Sequence, residues 1–392
     1  MTINSRWIRD LSLSTAVAGF VAVLVGYTSS VAIVFRAAQA VGATPAQLVS
    51  WLWALGLGMG LTSVVLSWHS RQPILTAWST PGAALIAGTA GVAMPDAIGA
   101  FVVCGMLILR CGLTRAFERV MDRIPMAVAA ALLAGVLARF ALEAVMSATS
   151  APEVVLPMAA VYLLARRYLP RYAVPVVLLV GVGAALIAGQ IHWGTVVWAW
   201  ARPVWTTPRF SAVAIIGLAV PLFLVTMASQ NLPGVAAQRA SGYQTRISAS
   251  ITVTGLATVV LAPFGGYTFN LAAITAAICM GREAHEDPRR RYTAAMIAGL
   301  LYIALGLAGG AVVGLLLAFP HELVAAIAGL ALLGTIASAL VAAFREEAHR
   351  DAAVLTFLVT LSGVSASGIG SAFWGVVAGL IATLLARLRP RH

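Results

Sequence analysis

The chain has 392 residues, of which 61% are hydrophobic and only 10% charged, with a mean hydropathy of +0.95. A soluble domain of this size needs far more charge to cover its surface, so composition excludes a soluble protein and indicates a polytopic membrane protein. The net charge of +12 comes from 25 arginines and no lysine, and these gather in alternate loops rather than in one patch, which excludes a nucleic-acid partner.

Apolar blocks separated by arginine-bearing breaks predict membrane spans. In the first half these fall near 12–35, 47–68, 74–93, 96–113, 125–146, 152–168 and 173–190. In the second half they fall near 210–231, 246–263, 266–281, 292–317, 321–344, 350–364 and 371–388. That gives an all-α polytopic fold of about 14 transmembrane segments. The first block follows two arginines without a small-residue cleavage site, and reads as a span rather than a removed signal peptide. The segments 74–93, 266–281 and 350–364 are too short to cross a bilayer as straight helices.

Short broken segments at matching places in two halves predict an inverted-repeat transporter. Residues 1–191 form the first repeat of seven spans, 192–209 an outer linker and 210–392 the second repeat. The fragments FRAAQAVG (35–42) and VAAQRASG (235–242) fall at corresponding places. Seven is odd, so the second repeat must run inverted. Assigned to alternate loops, 21 arginines lie on one side and four (Arg36, Arg139, Arg202, Arg209) on the other, predicting cytoplasmic termini in a bacterial inner membrane.

Other motifs read as structural. Trp193, Trp198, Trp200 and Trp205 in the linker suit an aromatic belt at headgroup level. The link 114–125 is amphipathic and predicts a surface segment. Gly56/Gly60, Gly306/Gly310 and Gly310/Gly314 are spaced for close helix packing. Cys104, Cys111 and Cys279 lack metal or redox spacing, and no cofactor or metal motif is present.

The stretch PILTAWSTPGAALIAG (73–88) is the most informative. Ile74 to Trp78 favours extended backbone, Ser79 or Thr80 can cap a helix, and Pro81 and Gly82 suit its first turn. A half-helix should start here near mid-bilayer. Its counterpart is PFGGYTFNLAAITAAICMG (263–281), with Thr268 or Asn270 as the expected cap. Two half-helices meeting start to start create positive potential without a charged side chain, suited to a carboxylate. Polar clusters at Ser229, Gln230 and Asn231, and at Tyr27, Thr28, Ser29 and Ser30, interrupt the eighth and first spans. Polar groups there need a helix partner or a substrate.

The segments PILTAWSTPGAALIAG, MASQNLPGV and FGGYTFNLAAITAAICMG resemble those of the bacterial benzoate–proton symporter family, and the resemblance covers essentially the whole chain. That family is similar to nucleobase symporters and sulfate-type anion transporters. The resemblance implies seven-plus-seven inverted repeats divided into core and gate domains, with substrate between the third and tenth spans, beside the first and eighth. It implies substrate contacts at Ser79, Thr80, Gly82, Ser229, Gln230, Asn231, Tyr267, Thr268, Phe269 and Asn270. Tyr27 and Ser30 join them from the first span. By position, Ser229 and Phe269 replace glutamates of the nucleobase carriers, and an uncharged site suits an aromatic carboxylate better than uracil.

The expected partners are therefore an aromatic carboxylate, protons and the lipid bilayer, with a homodimer possible by analogy to related carriers. No carboxylate or histidine falls squarely within a span. Glu143 comes nearest, with Arg139 one turn before it as its expected ion-pair partner. That absence keeps an uncoupled anion channel or exchanger open as the alternative, with a nucleobase-type symporter behind it. Nucleotide-binding and hydrolase motifs are absent, which argues against a primary pump or an enzyme.

Overall fold

The computed structural model describes residues 9–28, 30–87, 89, 91–169, 172–191, 200–309, 319–364 and 371–388. The first block forms α1 (Leu13–Thr28) and, past a break at Ser30, α2 (Val31–Ala40). Ser30 has φ −144°, and its Oγ donates to the Gly26 carbonyl at 2.9 Å. Ser29, Trp193, Trp198, Gly310 and Gly314 lie outside the described residues.

Thr44 and Gln47 form a capping box at the start of α3 (Pro45–Ser70), with Pro45 where no N–H is needed. Then come β1 (Thr76–Trp78), the short α4 (Thr80–Ala87), α5 (Met94–Leu113) and α6 (Ala116–Met121). α7 (Met126–Ser150), α8 (Pro152–Tyr168) and α9 (Ala173–Ile187) complete this half. The second half opens with α10 (Ala212–Ala240), whose course includes π-helical turns at Ile215–Ala219 and Met227–Asn231. Each π turn ends two residues before a proline, Pro221 or Pro233, which cannot donate to the ordinary ladder.

After α10 come α11 (Ile247–Leu261), β2 (Phe269–Leu271), α12 (Ile274–Met280) and α13 (Tyr292–Ala308). α14 (His321–Ala343), α15 (Arg350–Ser362) and α16 (Ser371–Leu388) end the described chain. Among the described residues, six helices are long and apolar enough to cross a bilayer: α3, α5, α7, α10, and α11 and α13 with their flanking turns. Large apolar side chains such as Val145, Leu163, Leu179, Val213 and Val341 stay exposed, as a lipid-facing surface requires.

The first and eighth helices run further than their composition predicted, to Ala40 and Ala240 rather than 35 and 231. The matched fragments at 35–42 and 235–242 are helix ends of one type. Gly42 and Gly242 take φ +77° and +84°, and the next residues, Ala43 and Tyr243, donate back to Ala38 and Gln238 at 3.0 and 2.9 Å. This left-handed glycine closure stops a helix without orphaning its last carbonyls.

α3 packs on α13, α5 on α11, and α7 on α14 and α15. At the first contact a Cβ on Gly56 would lie 2.7 Å from the Gly306 Cα, so the two backbones touch. Between these helices β1 and β2 pair antiparallel, with Thr76 opposite Leu271, Ala77 opposite Asn270 and Trp78 opposite Phe269. Helix α4 leaves one strand and α12 the other. At eight and seven residues, each is only about 10–12 Å long and cannot cross the bilayer.

Extended backbone in hydrocarbon must find every hydrogen bond within the protein. Ser67 Oγ donates to the Ile74 carbonyl (2.8 Å) and accepts from its N–H (3.0 Å). The Thr76 N–H donates to Ser63 Oγ at 2.9 Å, and Gln238 Nε2 donates to the Pro73 carbonyl at 2.8 Å. In the other strand, the Phe269 N–H donates to Thr258 Oγ1 at 3.1 Å and the Leu271 N–H to Asn231 Oδ1 at 2.9 Å. Polar side chains of α3, α10 and α11 therefore hold the strands in place.

Replacing Thr76 with valine removes a hydroxyl that bonds Thr62 Oγ1 (2.6 Å), Ser63 Oγ (2.9 Å) and the Met59 carbonyl (2.9 Å). This should cost about 1–3 kcal/mol, read as a lower thermal midpoint of the detergent-solubilised protein. Gly56→Val should cost a similar amount, about 1–3 kcal/mol, by forcing α3 off α13. An unchanged midpoint for either variant would show that the contact contributes nothing.

Candidate functional site

The start of α4 follows the predicted signal. Ser79 Oγ accepts from the Gly82 N–H at 3.1 Å and the Ser79 carbonyl from Ala83 at 2.8 Å, so Ser79 is the cap. α12 begins differently. The residues expected to cap it, Thr268 and Asn270, lie before and within β2, and the cap position is Ala273, with no side-chain bond. The chain needs three residues of strand there to pair with β1, which moves the helix start downstream.

Both half-helix starts line one cavity of about 870 Å3. One wall carries Gly26 and Ser30, then Trp78, Thr80 and Pro81, then Ser229, Gln230 and Pro233 of α10. Ala272–Thr275 at the start of α12 and Tyr302 of α13 complete that wall. The other wall is α7, from Val136 to Ser150, with Thr360, Leu361, Gly363 and Ser371 from the α15–α16 region.

Of the twelve residues singled out from the sequence, Ser30, Thr80, Ser229 and Gln230 line this cavity. The other eight are not among its lining residues. Asn231 is fully buried and is spent on the strand, accepting from Leu271, while its Nδ2 donates to Met227 Sδ at 3.2 Å. Asn270 stands behind Gln230, its Nδ2 3.5 Å from Gln230 Oε1, and its own Oδ1 is buried with no hydrogen-bond partner. Thr268 Oγ1 is likewise buried without a partner. Gly82 packs near Leu222 and the Ser79 side chain.

The aromatic residues exchange places with others. Tyr267 packs against Trp51 and Phe101, with centroids 5.9 and 6.0 Å away, and its hydroxyl donates to the Ser79 carbonyl at 3.2 Å. Phe269 points at Gly58 of α3. Tyr27 stands behind the wall, edge-on to Trp78 at 4.9 Å and 5.8 Å from Tyr302. The rings that line the cavity are Trp78 and Tyr302, which sequence reasoning missed. Trp78 is oriented by its Nε1, which donates to Ser30 Oγ at 2.9 Å. Its signal was available: it directly precedes the helix cap at the end of a strand.

Among the described residues, charge enters the cavity from α7 alone. Arg139 and Glu143 both line it. They do not form the expected i,i+4 pair; Glu143 Oε1 instead meets Nε2 of His321, the first residue of α14, at 3.3 Å. A charged side chain at the centre of an apolar helix costs about 2.5–3.5 kcal/mol in a bilayer, so two on one helix mark a wetted surface. Among the described residues no three His, Cys, Asp or Glu side chains are grouped to hold a metal.

Across the N-terminal ends of α3 and α5, the described part of the linker is tied down. Gln47 Nε2 donates to Thr206 Oγ1 at 3.0 Å, and Arg209 Nε donates to Asp96 Oδ1 at 2.8 Å. Trp200 and Trp205 are exposed, as a belt requires, and Trp205 also packs edge-on against Phe264 at 5.4 Å.

The chain is similar to known membrane proteins along its whole length. It is 47% identical over 366 residues to the inner membrane protein YdcO of Escherichia coli, covering 93% of this chain and 94% of that one. It is 38% identical over 384 residues to the benzoate membrane transport protein of Acinetobacter baylyi, covering 98% and 97%. Among solved structures, the transmembrane domain of a cyanobacterial bicarbonate transporter, BicA, aligns with a TM-score of 0.46 and 14% identity, over 96% of this chain and 98% of that one. The model of the family described as benzoate membrane transport protein matches residues 9–385. With the family model covering most of its length and the 38% identical relative named a benzoate membrane transport protein, the chain belongs to the benzoate membrane transport protein family and is a membrane transporter, not an enzyme.

Proposed function

We propose that the protein is a secondary transporter that imports benzoate or a related aromatic carboxylate together with protons, by alternating access. The observation that carries this reading is the single cavity reached by the starts of both half-helices, α4 at Thr80 and α12 at Ile274. Helix starts offer free N–H groups and partial positive charge, which suit a carboxylate. Thr80, Ser229 and Gln230 add neutral donors, and Trp78 and Tyr302 offer flat apolar surfaces to an aromatic ring. Neither α10 nor β2 contains an acidic residue, which favours a carboxylate over a nucleobase.

We read the architecture as two inverted repeats of seven spans, 1–191 and 210–392, joined by the outer linker. The contacts α3–α13 and α5–α11 exchange when the halves are swapped, and the matched glycine closures of α2 and α10 agree with that reading. On it, α1–α5 and α10–α13 form a core that carries the half-helices, while α7–α9 and α14–α16 form a gate. The cavity lies between the two, so motion of core against gate opens it to each side in turn. The arginine asymmetry supports cytoplasmic termini. For proton coupling the reading turns to Glu143, the one acidic side chain among the described residues that lines the cavity, with His321 at 3.3 Å.

Labelled benzoate uptake into proteoliposomes under an inward proton gradient tests the reading, with empty liposomes as the control for passive entry of benzoic acid. Concentrative uptake that a protonophore abolishes is the expected result. Replacing Thr80 with valine and Asn270 with leucine together should lower it by about tenfold or more, the scale of one or two lost hydrogen bonds. Saturable uptake that only equilibrates would point to a channel or exchanger, and none above control would refute the substrate. Glu143→Gln should retain saturable exchange but lose accumulation against the gradient; continued accumulation by that variant would move the proton to another group.

A further inference from the structure

Arg139 has no structural task that accounts for its position. It stands at the middle of the 25-residue α7, far from either end. It belongs to the arginine-poor side of the loop count, so the topology signal does not explain it. The carboxylate one turn away, Glu143, is engaged with His321 at 3.3 Å. Among the described residues, Arg139 has no ion pair or hydrogen bond of its own, yet it is exposed into the cavity that Thr80 and Gln230 line from the opposite wall.

The fold also makes room for its head group. Gly363 follows the last residue of α15 with φ +70°, a left-handed conformation that glycine adopts without strain. A Cβ there would lie 2.6 Å from Arg139 Nη1, 2.8 Å from Cζ and 2.9 Å from Nη2. Three such similar distances mean that the flat face of the guanidinium rests over Gly363. Its N–H donors lie in the plane of the group, so this packing fixes their direction without using them. A guanidinium held by its face with its edge free is pre-organised for a planar, two-oxygen acceptor.

We infer that Arg139 is a substrate-binding residue, the counter-charge that receives the carboxylate from the gate side while the half-helices receive it from the core side. This rests on the aromatic-carboxylate reading and adds the residue that distinguishes an ionised acid from its neutral isostere. It also makes substrate a bridge between the two walls. Arg139 binds the anion only when core and gate face each other across the occupied cavity.

The test is initial-rate uptake of benzoate, with benzamide as a neutral competitor, by wild type, R139K, R139Q and G363A in proteoliposomes. Loss of a charge-assisted bond predicts that R139Q raises the KM for benzoate by about tenfold or more. In R139Q, benzamide should then compete better against benzoate than it does in wild type, while the half-helices keep part of the preference for the anion. R139K, which keeps the charge but not the fork, should fall between, and G363A should also raise KM by displacing the guanidinium. If R139Q cannot be recovered folded, R139K and G363A decide on the same readouts. Wild-type KM and wild-type preference for benzoate in the variants would overturn the assignment of Arg139 alone. A wild type that takes up no benzoate above empty liposomes would overturn the substrate reading, and this inference with it.

Discussion

Everything near the cavity depends on one constraint: six residues of extended backbone pair within a helical membrane protein, where lipid offers nothing to complete their hydrogen bonds. The strands meet this need partly through each other and partly through side chains. Ser63 and Ser67 of α3, Gln238 and Asn231 of α10, and Thr258 of α11 each serve a main-chain group in or beside the strands. Buried hydroxyls and amides that would be costly on their own are thereby matched to backbone groups with the same difficulty. The strand pair in turn fixes where α4 and α12 begin, and so where their free N–H groups face.

Electrostatics divides the cavity into two kinds of wall. The wall of half-helices carries potential from backbone dipoles, which cannot titrate and need no counter-ion. The α7 wall carries ionisable side chains, Arg139 and Glu143, with His321 beside them. On the proposed reading, such a division separates two tasks that interfere when combined: a proton-accepting carboxylate placed among the half-helices would repel the anion that reading assigns to them. On the opposite wall it can change charge without altering the dipoles.

Features that depend on near neighbours in sequence were legible from it. The start of α4 is written in Ser79, Pro81 and Gly82, and the structure confirms Ser79 as the cap. The broken spans and the helical class follow from local composition in the same way, whereas the helix ends at Gly42 and Gly242 lie beyond the bounds that composition set. Features set by packing were not legible. The resemblance puts Tyr267 and Phe269 among the substrate contacts, but in the fold they face Trp51, Phe101 and Gly58. Arg139 and Glu143 have the spacing of a helical pair, and only the approach of α14 gives Glu143 a different partner. Asn231 looked like a ligand for substrate because a strand that needs its oxygen lies forty residues away.

The π turn at Met227–Asn231 has a consequence for how this helix tolerates change. A wide turn holds one residue more than an ordinary one, and every side chain beyond it is rotated by about 100° relative to an uninterrupted helix. Gln230 and Asn231 occupy that turn, one lining the cavity and the other serving β2, and Gln238 beyond it reaches Pro73. The helix therefore acts as a ruler with an extra mark. Its sequence can drift at many positions while its length cannot, because loss or gain of one residue there would misdirect the cavity, strand and loop contacts at once.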